Sequence, residues 1–111
     1  MILRVWRAKI VPERVEEYRR FNRERCLPML RKQPGFLGVL FSRATGDCTT
    51  ISVTIWEDVG AVQALQSSPS YRRTVRELEE SGLLAGGRSE EVFEIEGGNL
   101  RADALLRALG S

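Results

Sequence analysis

The chain contains no histidine. That absence removes Ser-His-Asp and Cys-His nucleophile systems, histidine-ligated zinc and a proximal histidine for haem. Acid–base work would fall to carboxylates, tyrosine, cysteine, Lys9 or the substrate itself. Asn22 lies between Tyr18 and Cys26 on a stripe of helical spacing, where a sheet-facing amide must find partners and can bond a substrate oxygen. Trp56 ends the β-branched run ISVTIW next to a helix start. A large aromatic at that place can line a pocket between a sheet and its helices. The glutamates at 13, 16 and 17 and at 77, 79 and 80 read as solvated helix faces, so no metal site is expected. Cys26 reads as a small buried hydrophobe. Neither GxGxxG nor GxxxxGK[ST] occurs, so both common nucleotide cradles are missing.

These residues must be positioned by a short series of elements. Ile2 to Ile10 alternates, with Ile2, Arg4, Trp6, Ala8 and Ile10 on one face, which predicts a strand. Pro12 suits a helix start, and Glu13, Glu16 and Glu17 complement its dipole. Val15, Tyr18, Asn22, Cys26 and Met29 share one stripe of that helix, and Pro28 is expected to kink or tighten its last turns. Phe36 to Arg43 and Thr49 to Trp56 predict two strands joined by a hairpin at Ala44-Thr45-Gly46-Asp47. Asp58 caps a short helix that Pro69 breaks, and Ser70 caps a further helix from Tyr71 to Leu84. Gly86-Gly87 reads as a loop, Ser89 to Glu96 as a fourth strand, and Asn99 to Leu109 as an amphipathic helix. The order β-α-β-β-α-β predicts an α+β ferredoxin-like sandwich, an antiparallel sheet with helices on one face. The third strand is apolar on both faces, through Ile51, Val53 and Ile55 on one and Trp56 on the other. Helices cover one face, and a second copy of the chain is expected to cover the other.

Composition bounds the classes. At 111 residues the chain is one modest domain, with 42% hydrophobic and 29% charged residues and a net charge of +2. Arginines alternate with glutamates rather than forming a one-sided basic stripe, so nucleic acid is not expected. No apolar run approaches the ~18 residues of a membrane span. The N-terminus reads as a strand rather than a signal peptide. Cys26 and Cys48 make no metal-type pair and fit reduced thiols of the cytoplasm.

The order of elements, the helix-opening VPE, the PGF before the second strand, the strand-ending WED and the later SPSYRR together resemble the antibiotic biosynthesis monooxygenase family. That family is a branch of the dimeric α+β barrel superfamily. The resemblance covers residues 1–96 and leaves 97–111 as a C-terminal extension. It implies a homodimer whose sheets face each other, with a pocket in each subunit between sheet and helices. Some members oxidise phenolic polyketides or quinols with molecular oxygen and no cofactor, and others degrade haem. The residues that mark the haem-degrading members are replaced here by Trp6, Leu65 and Val75, which argues against that activity. The cofactor-free oxidases use an Asn and a Trp four apart on the third strand, with a Tyr and an Arg. Trp56 matches that Trp, Ser52 stands at the Asn position, and Tyr71 with Arg72 or Arg88 stand in for the rest.

The resulting expectation is a cofactor-independent monooxygenase acting on a small phenolic or quinol-type aromatic. Asn22, Ser52 and Tyr71 are its candidate catalytic residues, and Trp56, Trp6, Tyr18 and Phe41 its substrate-binding residues. The alternative is a non-catalytic small-molecule-binding or stress-related dimer using the same pocket. An isomerase or lyase is disfavoured by the missing histidine. The tail helix is expected to dock its leucines on its own body or on a partner subunit.

Overall fold

The computed structural model describes residues 1–110. Four strands form one antiparallel sheet in the order β2-β3-β1-β4: β1 Ile2–Ile10, β2 Phe36–Arg43, β3 Thr49–Trp56 and β4 Leu84–Glu94. Helices α1 Val15–Phe21, α2 Leu27–Arg31, α3 Val59–Ser67 and α4 Pro69–Glu80 complete a ferredoxin-like α+β fold. The alternation of β1 is realised: Ile2, Arg4, Trp6, Ala8 and Ile10 are all buried under the helices.

The first helical rod is continuous but not uniform. Between α1 and α2, residues Asn22–Cys26 form a π-helical segment, closed by the Leu27 N–H donating to the Asn22 carbonyl. Pro28 explains the change of pitch. It has no N–H to offer the Glu24 carbonyl four residues back, so the rod widens ahead of it rather than kinking. The wide turn leaves Asn22 buried beneath the rod.

The connections follow local chemistry. Gly35 turns into β2 with φ +78°, and a Cβ there would stand 2.6 Å from the Ala61 Cβ, so only glycine fits. The Asp47 carboxylate accepts from the Thr49 N–H at 2.7 Å and shapes the β2–β3 hairpin. Asp58 caps α3 by accepting from the Ala61 N–H at 2.8 Å. Ser68, not Ser70, caps α4, which therefore starts at Pro69 and ends at Glu80. The fourth strand also starts earlier than expected. Gly86 and Gly87 lie inside β4, because β1 pairs with it from Leu84 onward through an irregularity between Ala8 and Ile10.

Two apolar clusters lie under the helices. One gathers Ile2, Leu30, Trp56, Ala61, Val62 and Leu65. The other gathers Trp6, Ala8, Ile10, Tyr18, Leu78 and Leu83. On the opposite face the apolar side chains are mostly half-buried. The register there aligns Phe93, Leu3 and Ile55 in one row and Val5, Val53 and Leu40 in the next. The tail helix α5 spans Ala102–Ala108, shorter than expected and without a side-chain cap. Leu100, Leu106 and Leu109 are each more than half exposed. Ser111, the last residue of the extension, lies outside the described residues. No helix among the described residues is long and apolar enough to cross a membrane.

Candidate functional site

Where the two apolar clusters meet, a small cavity of about 60 Å³ separates the sheet from the helices. β1 contributes Arg4 and Trp6, the helical rod Tyr18, Asn22 and Cys26, β2 Phe41, β3 Ser52 and Thr54, and α4 Tyr71 and Thr74. The strands deliver their residues by twofold alternation, and the rod delivers Tyr18, Asn22 and Cys26 at fourfold spacing. Six of the seven candidates from the sequence thus border one space: Asn22, Ser52, Tyr71, Trp6, Tyr18 and Phe41.

Trp56 is the exception and corrects the expectation that it forms the pocket wall. Its side chain is completely buried in the first cluster, edge-on to Phe36 at 5.6 Å, and it is not among the residues that line the cavity. Its indole N–H is satisfied by the Thr54 hydroxyl at 2.8 Å. Thr54 in turn borders the cavity, so Trp56 stands behind the wall and fixes one of its hydroxyls.

The residue that the sequence reading placed on the right face but gave no role is Arg4. It is 3% exposed, in the centre of the sheet. Its Nη2 donates to the Tyr71 hydroxyl at 2.7 Å and pairs with the Glu90 carboxylate at 3.1 Å. The guanidinium lies 5.4 Å from the centroid of the Tyr71 ring, a cation–π distance. Its Nε–H is buried and has no acceptor among the described residues. A buried guanidinium N–H without a partner is costly, so the contacts to Tyr71 and Glu90 must hold this cation in place. The signal was visible in the sequence: Arg4 is the one charge on the buried face of β1.

The protonation states follow from burial. Burial pushes the Tyr18 hydroxyl above its ordinary value, against the opposing pull of hydrogen bonds with Thr50, Asn22 and Ser52. Burial likewise raises Tyr71, with the neighbouring Arg4 cation working the other way. The Cys26 thiol is pushed up to about 12 by burial. At neutral pH all three groups keep their protons. The cavity therefore offers hydrogen-bond donors and a cation but no thiolate nucleophile. Among the described residues no three His, Cys, Asp or Glu side chains come together as a metal site requires.

Two clefts flank this cavity. One, of about 420 Å³, shares Tyr71 and Val75 with it, and there Arg88 and Arg4 converge on Glu90. The other, of about 710 Å³, shares Tyr18, Asn22 and Phe41 with it and opens between the helical rod and the β2–β3 hairpin.

A helix-roofed antiparallel sheet with a donor-lined cavity between its layers defines a small α+β protein of ferredoxin-like fold. Residues 1–77 match the model of the antibiotic biosynthesis monooxygenase family, and the chain belongs to that family. No protein of curated function matches it in sequence. Among solved structures it is similar to a monooxygenase from the gene ActVA-Orf6 of Streptomyces coelicolor, in complex with nanaomycin D. That likeness has a TM-score of 0.78 at 17% identity and covers 89% of this chain and 90% of the other. SnoaB, a cofactor-independent oxygenase from Streptomyces nogalater, gives 0.71 at 18% identity over 87% of this chain and 94% of its own. Rv0793 from Mycobacterium tuberculosis gives 0.71 at 14% identity, covering 87% and 96%. Identities this low speak for the shared fold.

Proposed function

We propose that the protein is a cofactor-independent monooxygenase that oxidises a small phenolic or quinol-type aromatic with O2. The observation that carries this reading is a buried cation, Arg4, among the residues that border the cavity. Its complement is an oxygen anion. A phenol bound there, with Asn22, Ser52 and Tyr18 as further hydrogen-bonding groups, would have its phenolate stabilised and its acidity raised. No side chain needs to act as a strong base, which suits a cavity whose tyrosines and cysteine stay protonated. The substrate anion supplies the reducing electrons itself. One electron passes to O2, and the resulting radical pair closes a carbon–oxygen bond to give a substrate peroxide anion, which takes up the proton that the phenol released. At an anthrone-type carbon that peroxide loses the remaining C–H proton and hydroxide, together one water, and leaves a ketone. The family membership and the likeness to SnoaB support this reaction class.

The reading includes a homodimer. The rows Phe93-Leu3-Ile55 and Val5-Val53-Leu40 give the sheet face away from the helices an apolar strip that a second sheet would bury. Obligate interfaces of this type bury more than ~2,000 Å². The free thiols Cys26 and Cys48 fit a reducing cytoplasm. The decisive experiment is oxygen uptake by the purified protein over a panel of hydroquinones and anthrones. Turnover is expected, and Arg4→Met should lower it about 100-fold, as loss of one donor to developing charge does. Tight binding of the panel without oxygen uptake would leave a binding module in its place.

A further inference from the structure

The inner cavity, at about 60 Å³, is far too small for a whole aromatic ligand, whose sites usually measure ~300 Å³ or more. The additional space lies in the adjoining 710 Å³ cleft, which shares Tyr18, Asn22 and Phe41 with the cavity. A ligand whose phenolic end reaches Asn22 must therefore leave its other end in that cleft. The floor there is apolar, with Ile10, Val15 and Leu27, and Leu109 of the tail reaches its edge. The charge there is one-sided. Arg19, Arg23 and Arg43 border the cleft, and no Asp or Glu does. Arg19 is held by Glu16 at 3.0 Å and Arg23 lies a loose 4.0 Å from Glu24, while Arg43 has no carboxylate partner among the described residues. The cleft on the opposite side is different. There Arg72, Arg76 and Arg88 face Glu79 and Glu90 in the same lining, and Arg88 is already bonded to Glu90.

We propose that the cleft between the helical rod and the β2–β3 hairpin is the subsite for an acidic arm of the substrate, so that the ligand class is an aromatic phenol bearing a carboxylate. The proposal rests on the aromatic-binding reading above. The ring would enter past Phe41 toward Asn22 and Arg4, and the carboxylate would stay at the mouth, held by Arg43 and Arg23. Arg19, already engaged by Glu16, contributes field rather than contact. The rim arginines are exposed, so the attraction is partly screened and salt-sensitive.

The test uses two redox-stable probes that differ only in charge, 3-(6-hydroxynaphthalen-2-yl)propanoate and its primary amide, whose hydroxyl and side arm lie at opposite ends of the ring system. Equilibrium binding is measured by calorimetry and by quenching of the tryptophans, one of which, Trp6, borders the cavity. At low salt the propanoate is expected to bind about tenfold more tightly than the amide, and half-molar salt should shrink that preference. In the double variant Arg23→Gln/Arg43→Gln the ratio should fall to about one while amide affinity stays, which also shows that the variant is folded. Arg76→Gln on the opposite cleft should leave the ratio unchanged. Equal binding of the two probes by the unaltered protein overturns the acidic subsite and leaves the aromatic-binding reading standing. A preference that survives the double variant overturns it too. If neither probe binds, both readings fall.

Discussion

Trp6 and Trp56 sit on the same face of neighbouring strands, and the sheet treats them very differently. Trp6 is opposite Ser52 in the register, in mid-sheet, with Arg4 two residues before it on the same face. Trp56 is opposite Ile2 at the end of the sheet, under the apolar faces of α2 and α3. The first borders a cavity with polar groups on several sides; the second is sealed among apolar side chains, Phe36 included. Side-chain type and facing are the same. What differs is the roof: Leu30, Val62 and Leu65 above Trp56 fill space, whereas Asn22 and Tyr71 near Trp6 bring polar atoms that cannot pack as tightly. The site therefore arises where the helices change from aliphatic to polar, not where the largest aromatic lies.

Substitutions can break this contrast. Trp56→Ala should cost about 3–5 kcal/mol of stability, seen as a lower urea midpoint, because it empties a sealed core. The milder Trp56→Phe should still lower the melting temperature but leave ligand affinity unchanged; a loss of affinity would put Trp56 back in the site. Asn22→Ala should do the opposite. It is expected to raise the oxidation barrier by about 2–3 kcal/mol in kcat/KM while stability changes less. If Asn22→Ala unfolds the protein with turnover per folded molecule intact, the amide is structural. Trp6→Phe should weaken aromatic binding by about 1 kcal/mol, measured by titration, through lost ring contact. The last effect depends on pH and concerns Cys26. Its folded thiol pKa, about 12, lies above the ~8.5 of an unfolded chain. The folded state then keeps a proton that the unfolded state has lost. The associated stability is present below about pH 8.5 and is lost as pH rises toward 12. Cys26→Ala should flatten this alkaline decline in urea midpoints between pH 9 and 11.

Much of the fold was legible because its signals are local. The alternation of Ile2 to Ile10, the β-branched third strand and the Asp58 cap each state one element. The misplacements share a cause. Ser68 and Ser70 both precede a helical segment, and only the position of Pro69 in its first turn decides between them. Gly86-Gly87 reads as a break, yet a neighbouring strand supplies the pairing that carries β4 through it. At the site, the facing of Asn22 and Ser52 followed from periodicity, and Tyr71 came from the resemblance to the family. The sealing of Trp56 followed from neither, because period tells which face a residue takes and not whether the opposite layer leaves room. Arg4 was on the page as a position. Its unpartnered Nε–H depends on where Tyr71 and Glu90 fall, 67 and 86 residues later.

The π-helical turn at Asn22–Cys26 carries a consequence for comparing relatives. It holds more chain than an α-helical turn of the same height. In a relative whose first helix is α-helical throughout, the matching residues beyond the turn are offset by one. An alignment without a gap there would set Asn22 or Cys26 against a residue that points about 100° away around the helix. The letters of this site are therefore readable across the family only together with the length of the rod that carries them.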